Sequence, residues 1–93
     1  DAVNLASLAV YLEKAGDDGP ARQRLAEALQ RAPADPEVCY RGALVHAVAG
    51  RAADALLMLE RAVAAGYSRS EPALADEFER LRDEPRFRAV LGK

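Results

Sequence analysis

Apolar residues recur along this chain at helical spacing, in blocks separated by breaks that carry glycine and proline. In residues 2–15, AVNLASLAVYLEKA, Leu5, Leu8, Ala9 and Leu12 fall together on a helical face. Gly16 is placed to end that helix, and Asp17-Asp18-Gly19 to form the turn. Pro20 opens the next helix at its first position, where the missing N–H costs nothing. This second helix, about 20–32, turns Leu25, Ala28 and Leu29 inward and leaves Arg22, Arg24, Glu27 and Arg31 in water. Pro33-Ala34-Asp35-Pro36 is a strong breaker, with Asp35 as N-cap and Pro36 at N1. Residues 36–49 and about 52–65 form a second pair around Ala49-Gly50-Arg51, and connections this short make each pair antiparallel neighbours. Beyond Gly66 the pattern changes. Residues 72–82 read as one further helix and 84–91 as a short last one, with Asp83 as its N-cap and Pro85 in its first turn. No stretch reads as a strand.

The second pair repeats the first. A shift of 34 residues places Ala9 on Ala43, Ala15 on Ala49, Gly16 on Gly50, Ala21 on Ala55, Leu25 on Leu59 and Ala28 on Ala62. Each position has a physical reason. Glycine takes the left-handed conformation that ends a helix without a Cβ clash. Alanine lets two helices approach closely, and leucine one turn on fills the space beside that contact.

This spacing resembles the tetratricopeptide repeat, whose period is 34 residues and whose second helix carries A-x3-F and a closing proline. Here that half reads Ala21-x3-Leu25 with Pro33, then Ala55-x3-Leu59, with Tyr67 in place of the proline. Leu5, Leu8, Ala9 and Leu12 stand where the family has Trp, Leu, Gly and Tyr, as do Cys39, Gly42, Ala43 and His46 in the second copy. The segment Leu81-Arg82, Glu84-Pro85-Arg86-Phe87 and Val90-Leu91 is similar to the closing segment of many bacterial arrays of this family. An open solenoid end needs a cap with one apolar and one charged face. Leu74, Phe78, Leu81, Phe87, Val90 and Leu91 are expected to supply the apolar one, with both phenylalanines against the helix near 52–65. The resemblance implies an all-α, right-handed α-solenoid of two helix hairpins, residues 2–33 and 36–67, closed by capping helices over 70–93.

Composition narrows the function. The chain has 93 residues, 51% of them hydrophobic, which suits one small domain. Its net charge is −2 with both signs interspersed and no basic stripe, which argues against nucleic acid or an anionic membrane as partner. No apolar run approaches the length of a membrane span. The single cysteine excludes an internal disulfide. A chain that opens inside a helical pattern without Met is expected to be a fragment of a longer protein or, as the alternative, a processed one; the expected placement is cytoplasmic.

Candidate chemistry is sparse. Cys39 and His46 share a helix but lie about 10 Å apart along its axis, beyond the reach of a nucleophile and its base, and two ligands do not make a zinc site. Both stand where the repeat packs its own helices. The carboxylates at 76, 77, 79, 83 and 84 are balanced by Arg80, Arg82 and Arg86, the pattern of a solvated face. Gly42, Gly50 and Gly66 are too far apart for a phosphate loop. No catalytic, metal or cofactor site is expected.

What the resemblance implies is a groove. The first helix of each pair lines the concave surface in that family, which by position exposes Val10, Glu13 and Lys14, then Glu37, Tyr40, Arg41, Leu44 and Val48. Val10, Tyr40, Leu44 and Val48 would form an apolar stripe rimmed by the charged residues. Ala6, Val10 and Leu44 replace the Lys and Asn with which some members grip a C-terminal carboxylate. The implied role is a non-enzymatic protein–protein interaction module, the C-terminal end of a longer bacterial protein, taking a peptide or amphipathic helix in its groove. The competing expectation is self-association: a structural or dimerising segment that regulates an attached enzyme and has no peptide ligand.

Overall fold

A computed structural model describes residues 1–92, and among them every regular element is helical. The helices are α1 (Ala2–Lys14), α2 (Asp18–Arg31), α3 (Pro36–Ala49), α4 (Ala52–Ala64), α5 (Ser70–Leu74), a 3-10 segment (Asp76–Leu81) and α6 (Pro85–Val90). Local chemistry sets most of the ends. The Asp35 carboxylate accepts from the backbone N–H of Glu37 at 2.9 Å and of Val38 at 3.1 Å, with Pro36 in the first turn. Gly16 and Gly50 sit at φ 87° and 83°, where a Cβ would be strained. After each, the next amide closes back five residues, Asp17 N–H to Leu12 O at 2.9 Å and Arg51 N–H to His46 O at 2.9 Å.

Two starts differ from the sequence reading. Helix α2 begins at Asp18, so Pro20 is its third residue and not its first. Proline is tolerated there because none of the first four amides has a partner inside the helix. Helix α6 begins at Pro85 with Glu84, not Asp83, in the N-cap position.

Helices α1 and α2 form one hairpin, α3 and α4 a second, and α3 packs on both helices of the first. Four of the six repeated positions are buried in both copies: Ala9 and Ala43, Ala21 and Ala55, Leu25 and Leu59, Ala28 and Ala62. Val38 joins Ala6 and Ala28, and Val45 joins Ala9 and Leu25, so α3 seals the first hairpin with β-branched side chains. Its other side, Cys39, Tyr40, Ala43 and Leu44, enters the larger core with Leu56, Met58, Leu59, Phe78, Leu81 and Phe87. Among the described residues no helix is long and apolar enough to cross a membrane.

The expected helix over 72–82 is two elements. Ala75 is extended, with φ −73° and ψ 127°, and divides α5 from the 3-10 segment. A continuous helix would hold Leu74, Phe78 and Leu81 on one face. The break instead sends Leu74 into water at 81% exposure, against its expected place in the cap's apolar face, while Phe78 is fully buried. At the break the Ala75 carbonyl accepts from the Phe78 N–H at 3.2 Å and from the Arg82 guanidinium at 3.1 Å. The 3-10 segment packs on α3 and α6 on α4.

Phe78→Ala should therefore cost about 3–5 kcal/mol, whereas Leu74→Ala should stay within about 0.5 kcal/mol. Urea denaturation of the two variants reads both values. Equal losses would mean that the helix runs on through Ala75.

Candidate functional site

Helix α3 carries two of the expected groove residues into the core. Tyr40 is 4% exposed and stacks on Tyr67 with ring centroids 4.0 Å apart and planes 15° apart. Phe78 meets its edge at 5.9 Å, and Phe87 lies 5.8 Å beyond Phe78. Leu44 is buried in the same cluster. The chain's own C-terminal segment thus shares a core with Tyr40 and Leu44, two of the four stripe residues that the sequence reading left to a ligand. Burial, with the neighbouring Tyr67, Glu71 and Glu77, pushes the Tyr40 hydroxyl above the ordinary tyrosine range.

The other expected residues divide. Glu13, expected on the groove rim, is 7% exposed and lies 3.5 Å from Arg51. Lys14 stays half exposed and reaches Glu77 of the 3-10 segment at 2.7 Å, a strap between α1 and the tail. That bond, set against burial, draws the Glu77 carboxyl below its usual value. Glu37 and Arg41 approach at 3.5 Å, and Arg41 Nε and Glu37 Oε2 are buried without a hydrogen bond. Val10 and Val48 are half-buried.

What stays open lies on α1. Ser7, Val10, Tyr11, Lys14 and Arg41 line a cleft of about 410 Å³ between α1 and α3. Beside it Tyr11 is 78% and Leu8 45% exposed. The sequence reading put Leu8 on the inward face and gave Tyr11 no role. The 34-residue register held the missing signal, because Leu8 and Tyr11 align with Gly42 and Val45 of α3.

A second constellation centres on Arg51, in the turn between α3 and α4. Its Nε donates to His46 Nδ1 at 2.9 Å, and its Nη1 donates to Asp18 Oδ1 at 2.9 Å. Asp18 also accepts from Arg22 at 2.8 Å. Hydrogen bonds from Arg51, then the adjoining Glu13, hold the Asp18 carboxyl at about 2. Burial raises Glu13, and Asp18 beside it adds to that rise. The signs oppose. Asp18 contributes stability present above the ordinary carboxylate range and lost as pH falls toward 2, whereas Glu13's contribution is complete below that range and lost as pH rises through its folded value.

Cys39 and His46 have separate partners. The Cys39 thiol points to the Pro33 carbonyl at 3.5 Å, and burial pushes it up, away from the reactive thiolate. Among the described residues no group of three or more His, Cys, Asp or Glu side chains is placed to hold a metal ion.

Placing a charge at Leu44 now has a different expected outcome from one at an open groove. Leu44→Asp should unfold the domain, since an uncompensated buried charge costs about 3–5 kcal/mol of the roughly 5–15 kcal/mol a domain holds. Tyr11→Ser should leave the far-ultraviolet dichroism and melting temperature unchanged. A folded, stable Leu44→Asp chain would restore the open groove. The chain matches no protein-family model, no curated protein and no solved structure.

Proposed function

We propose that this chain is a non-enzymatic protein–protein interaction module of the tetratricopeptide kind, a short right-handed solenoid. Its register of two hairpins and its packed tail support that reading. The observation that carries it is the exposed pair Leu8 and Tyr11 beside the cleft of Val10, Lys14 and Arg41. Apolar side chains gathered at a polar-rimmed cleft mark interaction sites. The partner that fits is an amphipathic helix laid along α1, with apolar anchors one turn apart and an acidic rim for Lys14 and Arg41. Tyr11 takes the hot-spot role, because it joins a large contact area to a polar tip.

A specific observation favours a second reading, in which the face serves assembly. Leu8 and Tyr11 stand 34 residues before Gly42 and Val45, which α3 buries against the first hairpin. By that register another hairpin, from a neighbouring unit or a twin chain, would cover the same face.

Sedimentation and capture from the source cell separate the readings. Tyr11→Ser should abolish capture of a helical partner, while Leu57→Ser, at an exposed leucine on α4, should not. A dimer dissociated by Tyr11→Ser would favour assembly instead. A monomer that captures nothing, or loses its partner equally in both variants, removes the α1 face from consideration.

A further inference from the structure

We infer that Arg51 clasps the second hairpin to the first through Asp18 and Glu13 under the control of His46, which holds the guanidinium in place while the imidazole is neutral and loosens it on taking up a proton. The clasp is independent of partner binding at α1. Its geometry rests on one guanidinium that serves three helices. From the turn between α3 and α4, Arg51 donates Nε–H to His46 Nδ1 of α3 at 2.9 Å and Nη1–H to Asp18 Oδ1 of α2 at 2.9 Å. Its Nη2 lies 3.5 Å from Glu13 Oε1 of α1. A nitrogen that accepts a hydrogen bond must carry a lone pair, and both imidazolium nitrogens are donors. Protonation therefore deletes the bond that holds Arg51 on α3 and sets two cations side by side.

The surroundings of His46 decide the direction. Burial pushes its titration below the ordinary histidine range, and Arg51 and Arg22 add to that. Asp54 of α4 and Asp18 of α2 pull the other way. Glu13 of α1 faces the group through Arg51. The tail's Glu77, Arg80 and Glu84 line a separate cleft with Ala47, Gly50 and Ala52. The unfolded chain thus takes up the proton first. The stability contribution is complete above the ordinary histidine value of about 6.5 and declines as pH falls below it. Glu13 acts with the opposite sign over the carboxylate range, so the two contributions must be parted by substitution.

The chain has one histidine, which makes the measurement unambiguous. The imidazole Cε1–H signal is followed by NMR in the intact chain, and urea midpoints are taken at neutral pH and at about pH 5. His46 should titrate below the ordinary value, and Arg51→Gln should raise it. The midpoint of the unsubstituted chain should fall between the two conditions. His46→Asn, whose amide oxygen can take the place of Nδ1 without titrating, should fall less. At the lower pH the amides of Gly50 and Arg51, bonded to the Ala47 and His46 carbonyls, should lose exchange protection before those at the centre of α3. Titration at or above the ordinary value overturns the clasp, as does an equal fall in both chains. The titration is read on the unsubstituted protein, so the test survives a His46→Asn chain that fails to fold.

Discussion

Helix α3 has almost no side left for water, and the rest of the molecule is arranged to cover it. Seven of its residues are buried, Val38, Cys39, Tyr40, Gly42, Ala43, Leu44 and Val45, which is more than one amphipathic stripe can hold. The tightest point is Gly42. A Cβ there would stand 3.0 Å from Met58 Cε and 3.4 Å from Leu25 Cδ1, so helices from both hairpins meet over one missing methyl group. A mid-helix glycine costs about 0.5–1 kcal/mol relative to alanine. Here that cost goes with the close approach of α2 and α4 to the same turn of α3.

Magnitudes show what holds the C-terminal segment to this helix. Its ion pairs are short: Lys14 to Glu77 at 2.7 Å, and Arg86 gripping both oxygens of Glu60 at 2.8 and 2.7 Å. They are also largely exposed, and pairs of that kind contribute about 0–1 kcal/mol each. Phe78 and Phe87 are buried at a scale of several kcal/mol apiece. The aromatic packing therefore fixes the tail in place, and the charges set its register along α1 and α4. A segment held in this way is the third wall of the core.

Local signals were legible in the sequence and distant ones were not. Gly16, Gly50 and the Asp35-Pro36 pair act within a turn of themselves, so the hairpin boundaries could be read directly, as could the burial of Phe78 and Phe87. The break at Ala75 could not, since apolar spacing favoured a continuous helix, whereas the chain turns extended at Ala75 and buries Phe78 in the core it shares with α3. Tyr40 and Leu44 were read as open because the repeat resemblance assigns that face to a ligand, whereas Tyr67 and Phe78 arrive there from far along the chain. The Arg51 constellation was invisible for the same reason. Its carboxylate partners Glu13 and Asp18 lie on another hairpin, and Glu13 looked like one more rim charge.

The closed face and the open one follow from a single asymmetry between the copies. The 34-residue register pairs Ala6 with Tyr40 and Val10 with Leu44. In the first copy these side chains are small enough that α2 and α3 cover Ala6 completely, leaving a shallow cleft over Val10. In the second they are too large for the hairpin alone to hide, and an unburied Tyr and Leu side by side would waste the main driving force of the fold. The tail supplies the missing cover there, and it reaches α1 through the Lys14–Glu77 strap. The same register puts Leu8 and Tyr11 of the first copy at the positions where the second copy has Gly42 and Val45, buried residues that Leu25 of the neighbouring hairpin helps to cover. A face with the larger side chains and no neighbour is the one to which a further helix would add the most contact.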